Sequence, residues 1–223
     1  MGKKYKTKLD PETGLLRIIA LKNFSDVKKG DKGGLIEKES NLSQKDNCWV
    51  YEGACISEYA YVYENAKIYG NASVSGYAWI GGNAEIFGHA WVFGDAKVYG
   101  FAKVSDNAYV FGNACVYENA EIYEKAQISG YVEVYEKAKI YGNVYVLGEA
   151  AKIYRDVKLH SPVNRSFVSL SIKDSKDYVI LAIKKDFYII SLSNNIINQD
   201  ISIVEENYIN NIKTIRQLYG KEV

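Results

Sequence analysis

The three cysteines of this chain, Cys48, Cys55 and Cys115, are odd in number, form no CxxC pair and stand away from histidine in sequence. Disulfide and metal roles are therefore not expected of them. Charge of one sign is scarce as well: the formal net charge is +1 over 223 residues, which argues against a dedicated nucleic-acid binder. Residues 1–47 carry 11 Lys/Arg against 7 Asp/Glu, residues 48–162 carry 9 against 13, and residues 163–223 carry 8 against 7, so no segment is strongly polarised. No run approaches the ~18 apolar residues of a membrane span. The charged start MGKKYKTKLD lacks the apolar core of a signal peptide, so a soluble cytoplasmic protein with no membrane partner is the expectation. Disorder-type composition is missing too, since 48% of the residues are apolar. The stretch FSDVKKGDKGGLI holds Gly30, Gly33 and Gly34 but neither GxxxxGK[ST] nor GxGxxG, and reads as a loop rather than a phosphate cradle.

What the chain does have is a six-residue phrase repeated with little interruption. From Cys48 to Glu149 run 17 consecutive hexads of the kind AKIYGN, AEIFGH and AYVFGN. Each opens with Cys48 or Ala, apart from Val132 and Val144, and the residue two places on is Val or Ile throughout. One extra residue at Ala150 or Ala151 shifts the frame, after which AKIYRD and VKLHSP continue it. A six-residue period of β-branched residues cannot hold one side of a 3.6-residue helix, so short strands separated by turns are predicted. The aliphatic residue and the small residue opening the next hexad face inward. Gly at the first corner position, with Asn, Asp, His or Lys beside it, supplies backbone tolerant of left-handed conformations. Ahead of the repeat, Tyr5–Lys8 and Leu15–Leu21 have strand composition and DPETG has turn chemistry, which predicts a β-hairpin.

This pattern resembles the hexapeptide-repeat superfamily of left-handed parallel β-helices. The resemblance implies an all-β fold in which three corners close an 18-residue triangular coil, with about six coils stacked at ~4.8 Å. The run RIIALKNFSDVKKGDKGGLIEKESNLS, followed by DNCWVYEGA and the repeats, is similar to the YdcK-like hexapeptide-repeat proteins of bacterial and phage or prophage type. That likeness extends over nearly the whole chain, more loosely in the tail. The expected organisation is an N-terminal hairpin and capping loop over 1–47, the β-helix over 48–162, and a C-terminal piece over 163–223. In the last, runs separated by KDSKD and KKD read as a small β-meander. Val204, Tyr208, Ile212, Ile215 and Tyr219 recur at helical spacing and read as a terminal helix.

An 18-residue coil places hexads three apart on one face. The first face then carries Lys67, Glu85, Lys103, Glu121 and Lys139, with signs alternating up the stack, which supports that coil length. The second face carries no charge: Trp91, Phe93, Tyr109, Phe111, Tyr145 and Leu147 are its large residues, among serines, Cys55 and Gln127. A patch of this kind is normally covered, by the chain's own C-terminal segment, by a second copy or by another protein. The third face is mixed, with a tyrosine column.

Hexapeptide-repeat acyltransferases bind acyl-CoA or acyl-carrier donors between subunits and use a histidine base, so the resemblance implies that activity as one alternative. Its candidates are His89, at a corner that elsewhere holds Asn71, Asn107 or Asn143, and His160, in the last imperfect repeat. The 17 hexads contain no inserted loop of the kind that builds a substrate pocket. The leading expectation is a non-catalytic binding protein without cofactor or metal, offering Trp91, Phe93, Tyr109, Phe111, Tyr145 and Leu147 to a protein partner or to its own copies as a homo-oligomer. In a phage-encoded chain such a surface suits inhibition of a host defence complex. Nucleic acid is not expected, because basic residues do not track the tyrosines.

Overall fold

In the computed structural model the described residues are 2–154, 158–170, 178–183, 186–191 and 201–202, with side chains described over 2–148 and 152–154. Strands β1 (Tyr5–Leu9) and β2 (Leu16–Ala20) pair antiparallel, Tyr5 opposite Ala20. Their turn is held by the Asp10 carboxylate, which accepts the Glu12 and Thr13 N–H groups at 3.2 Å. Strand β3 (Lys32–Ile36) joins β2 antiparallel and then lies parallel beneath the repeat, Leu35 opposite Cys55. The stretch read as a glycine-rich loop thus ends as a strand. Gly33 and Gly34 allow it, since a Cβ at Gly34 would collide with the carbonyl oxygens of Tyr51 and Ala54.

The repeat supplies two-residue strands from β4 (Trp49–Val50) to β16 (Glu121–Ile122), then the longer β17 (Gln127–Val134) and β18 (Lys139–Ile153). From β4 to β16 each pairs parallel with the strand eighteen residues on: Lys67 opposite Glu85, Trp91 opposite Tyr109, Lys97 opposite Cys115. Three hexads therefore close one coil, and the coils stack as a parallel β-solenoid of about six turns. Inside, the aliphatic residues from Val50 to Val146 are fully buried and the alanines nearly so. Each buried Val or Ile contributes about 1.5–3 kcal/mol, repeated hexad after hexad.

The backbone ladder has a direction. N–H groups of one coil donate to carbonyls of the next, as from Trp49 to Ala66 at 3.0 Å and from Tyr109 to Ala126 at 2.9 Å. Carbonyls consequently point toward the N-terminal end, where the first coil would leave them bare. Side chains of the cap fill that row. The Lys4 ammonium donates to the Cys48 and Lys45 carbonyls at 2.8 and 3.1 Å, and the Tyr5 hydroxyl to Leu42 at 2.7 Å. The Asn41 amide donates to Ala60 and Glu58 at 2.8 and 3.0 Å. Lys4 is fully buried, with the Cys48 thiol at 3.2 Å. Burial lowers its pKa, while Cys48 and Asp46 pull the other way.

The corners correct one expectation. Left-handed φ belongs to the first corner residue, Gly or acid, as at Gly70 (φ 67°), Glu58 (55°), Asp106 (57°) and Glu118 (56°). Asparagine, expected to share that role, occupies the next position. The acids are tolerated because their carboxylates accept the corner N–H of the coil above: Gly76 on Glu58 at 2.8 Å, Gly82 on Glu64 at 2.6 Å and Glu136 on Glu118 at 2.9 Å.

Toward the C-terminus β17 and β18 stay in register, with a shift between Gly130 and Val132 that puts Ala151 opposite Val132, the frame change expected at Ala150 or Ala151. Strand β19 (Lys158–Leu170) stacks parallel on β18, from Lys139 opposite Lys158 to Gly148 opposite Leu170. Parallel stacking thus continues past Pro162, where the sequence pattern fades. The register shift falls between Gly142 and Val144, at a corner, which leaves the strand pairing on either side intact. Strands β20 (Tyr178–Ile183) and β21 (Asp186–Ser191) add antiparallel in sequence, as a meander requires. Strand β22 (Ile201–Ser202) pairs with β19 at Leu159 and His160. The predicted helix over 204–219 lies outside the described residues, as does the His160 side chain. No described helix is long and apolar enough to cross a membrane.

Candidate interaction face and the groove beside the cap

The first face has the expected charge register, Lys67–Glu85–Lys103–Glu121–Lys139. Lys103 pairs with Glu85 at 3.9 Å and Lys139 with Glu121 at 2.8 Å. Lys67 departs from the ladder. Its ammonium goes to Asp26 of the N-terminal loop at 2.8 Å, and the Tyr51 hydroxyl donates to the same carboxylate at 2.7 Å. The Lys67 hydrogen bond holds the Asp26 carboxyl well below the usual range, and burial together with Asp26 pushes the Tyr51 phenol up. This latch ties the loop to the solenoid, and its Lys67 also lines a polar groove of about 370 Å³ together with Ser25, Asn47, Asn65, Asn83 and Glu85. Among these residues the Asn47 amide donates to the Asn65 side-chain carbonyl at 3.1 Å.

The second face is built as six rungs. Its inner columns are Cys55, Ser73, Trp91, Tyr109, Gln127 and Tyr145, in register throughout. Two positions further along each strand stand Ser57, Ser75, Phe93, Phe111, Ser129 and Leu147. The Phe93 and Phe111 rings stack at 4.9 Å and 3°, and Trp91 lies 6.0 Å from Tyr109. Tyr145 leans over the small fifth rung, reaching the Ser129 hydroxyl at 3.0 Å and standing 6.3 Å from Phe111. Trp91 is 48% exposed and Leu147 44%, while Phe93, Tyr109, Phe111 and Tyr145 are half-buried against one another. Two low rungs of thiol and hydroxyl are therefore followed by a two-rung ridge of four rings.

The third face carries a stacked tyrosine column, Tyr99–Tyr117–Tyr135–Tyr154, at 5.0, 4.9 and 5.2 Å. His89 occupies an exposed corner, its backbone N–H donating to the Asp106 carbonyl at 2.6 Å. It is not among the residues of the groove. His160 sits in β19 with its backbone opposite Tyr141. The groove residues do not fit an acyl-CoA, because Lys67, the cation among them, is already neutralised by Asp26. Sequence reading missed the exposed corner aromatics: Tyr59 and Tyr77, stacked at 4.9 Å, and Phe101. Their signal was an aromatic ring in the sixth place of a hexad, where Asn is common. Lys4 was missed as well, since nothing local marks a lysine that caps carbonyls forty residues away.

Coil length, corner chemistry and ladder direction together define a hexapeptide-repeat β-solenoid protein. Comparison with known proteins agrees over part of the chain: the family described as YdcK Beta solenoid repeat matches residues 66–82. The chain is also 44% identical over 43 residues to a protein of Escherichia coli (strain K12) named uncharacterized acetyltransferase YdcK. That match covers 19% of this chain and 13% of that protein's length.

Proposed function

We propose that this chain is a non-catalytic docking protein, a rigid β-solenoid that presents its second face to a protein partner. The observation that carries the reading is the ridge of Trp91, Phe93, Tyr109 and Phe111 on a face whose outward residues from Cys55 to Leu147 include no charge. Aromatic residues in a desolvated patch are where interface energy concentrates. The core beneath is made by alanine and aliphatic residues alone, so the ridge is not needed to hold the coils together. In a phage or prophage setting this surface suits the inhibition of a host defence complex by occlusion. Trp91→Ala combined with Phe111→Ala is expected to weaken partner binding at least tenfold with an unchanged melting temperature. Binding that survives both changes would sink the reading.

The name of the similar Escherichia coli protein supports a second reading, acyl transfer with His89 or His160 as base. His89 is exposed, but it stands at a corner and does not line the groove. This reading requires acetyl-CoA binding by calorimetry and turnover lost in His89→Ala or His160→Ala.

A further inference from the structure

We propose that the occupant of the uncharged face is a second copy of this chain, packed face to face about a two-fold axis that runs along the strands between the second and third rungs. The proposal rests on the docking reading and names its partner.

Within its two columns the relief of the face is self-complementary, and the exposed corner rings Tyr59 and Tyr77 stand at the edge of the step. Its first two rungs, Cys55 with Ser57 and Ser73 with Ser75, form a low step, and its next two form the aromatic ridge. Step and ridge have the same length, two rungs at about 4.8 Å each. A two-fold axis lying in the interface along the strands reverses the order of rungs without exchanging the columns. It sets Trp91 opposite Ser73 of the second copy, Phe93 opposite its Ser75, Tyr109 opposite its Cys55 and Phe111 opposite its Ser57. Symmetry repeats each contact, so both ridges seat on both steps at once.

Charge points the same way. Such an axis lays the face against itself, so a run of like charge would be repelled, and the six rungs carry none. Beyond the step, the fifth rung meets β3, with Gln127 against Leu35 of the second copy and Ser129 against its Glu37. The Glu37 carboxylate is already occupied by the Glu58 N–H at 2.6 Å. The dimer is expected to form with rising concentration, by mass action.

Tyr109→Cys tests the geometry, because it places a new thiol opposite the native Cys55 of the second copy. Within one chain these positions are three coils apart, about 14 Å at the strand spacing, too far for a disulfide. A link between them therefore joins two chains. Oxidised glutathione supplies the oxidation: two thiols lose two protons and two electrons, one S–S bond forms and two reduced glutathiones leave. The expected result is a covalent dimer whose peptide map joins Cys55 to position 109, and which Cys55→Ser in the same background abolishes. Links only from position 109 to itself or to Cys115, or no covalent dimer, would overturn the proposal. Sedimentation velocity of the parent is expected to show mass rising from monomer toward dimer, with Ser73→Lys moving the transition to at least tenfold higher concentration. A parent that stays monomeric throughout overturns self-association. If Trp91→Ala with Phe111→Ala still abolishes binding of another protein in that monomer, the docking reading stands without it.

Discussion

Lys4 carries a disproportionate share of the N-terminal cap. A buried ammonium is costly unless its protons are used, and here two carbonyls and a thiol use them. Lys4→Met keeps the apolar stem and removes the donors, leaving the Lys45 and Cys48 carbonyls without that partner. The expected loss is about 1–3 kcal/mol, read as a lower urea midpoint at unchanged slope. A midpoint equal to the parent's would show that the capping hydrogen bonds do not matter. The corner acids permit a finer test. Glu118 combines a left-handed φ of 56° with a carboxylate that accepts the Glu136 N–H. Glu118→Ala keeps the unfavourable backbone and loses the hydrogen bond, for a loss of about 1 kcal/mol. Glu118→Gly loses the same bond but relieves a conformation that costs an L-residue about 1–2 kcal/mol, and is expected to be near neutral. Equal destabilisation by both would contradict this account of the corners.

Along the faces, the tyrosine columns make stability depend on alkaline pH. Burial raises the Tyr51, Tyr69 and Tyr117 phenols, helped by hydrogen bonds to Asp26, Glu85 and Glu133, and pushes Tyr123 up to about 12. The folded state then keeps its phenolic protons above the ordinary tyrosine value of about 10. Their contribution is complete below about pH 10 and is lost as pH rises through the folded values. Lys4 acts oppositely, since its lowered pKa adds stability with rising pH below its ordinary value of about 10.4, but it is one group against several. Melting temperature is expected to fall between about pH 10 and 12, with a shallower fall in Tyr69→Phe with Tyr117→Phe. A flat or rising curve in that window would show the columns to be unimportant. At this scale much was legible: the hairpin and the strand-and-turn period follow from short-range composition, and the eighteen-residue coil that the family resemblance implied is supported by the alternating charge register. The Lys67–Asp26 latch was not, because its partners are forty-one residues apart and a nearer ladder partner, Glu85, stood ready. The β3 strand was hidden by its glycines, which read as a loop until the coil above them is seen.

As a whole, the molecule separates holding from presenting. Alanines and aliphatics inside hold the coils, the cap closes the carbonyl end, and the outward side chains are left to differ from face to face. The uncharged face could be read from the sequence because the repeat assigns every residue a column. Its step-and-ridge relief and the exposed corner rings needed the stacked coils. Trp91 and Trp79 provide the most direct test, since they stand on different faces with nearly the same exposure, 48% and 51%. Hydroxyl-radical footprinting compares the two in one sample, with the chain dilute and then bound to its partner or concentrated into its dimer. Trp91, with Phe93, Tyr109 and Phe111, is expected to lose reactivity at least fivefold on association while Trp79 keeps it. Protection of Trp79 with Trp91 left open would contradict the assignment of the second face as the docking surface.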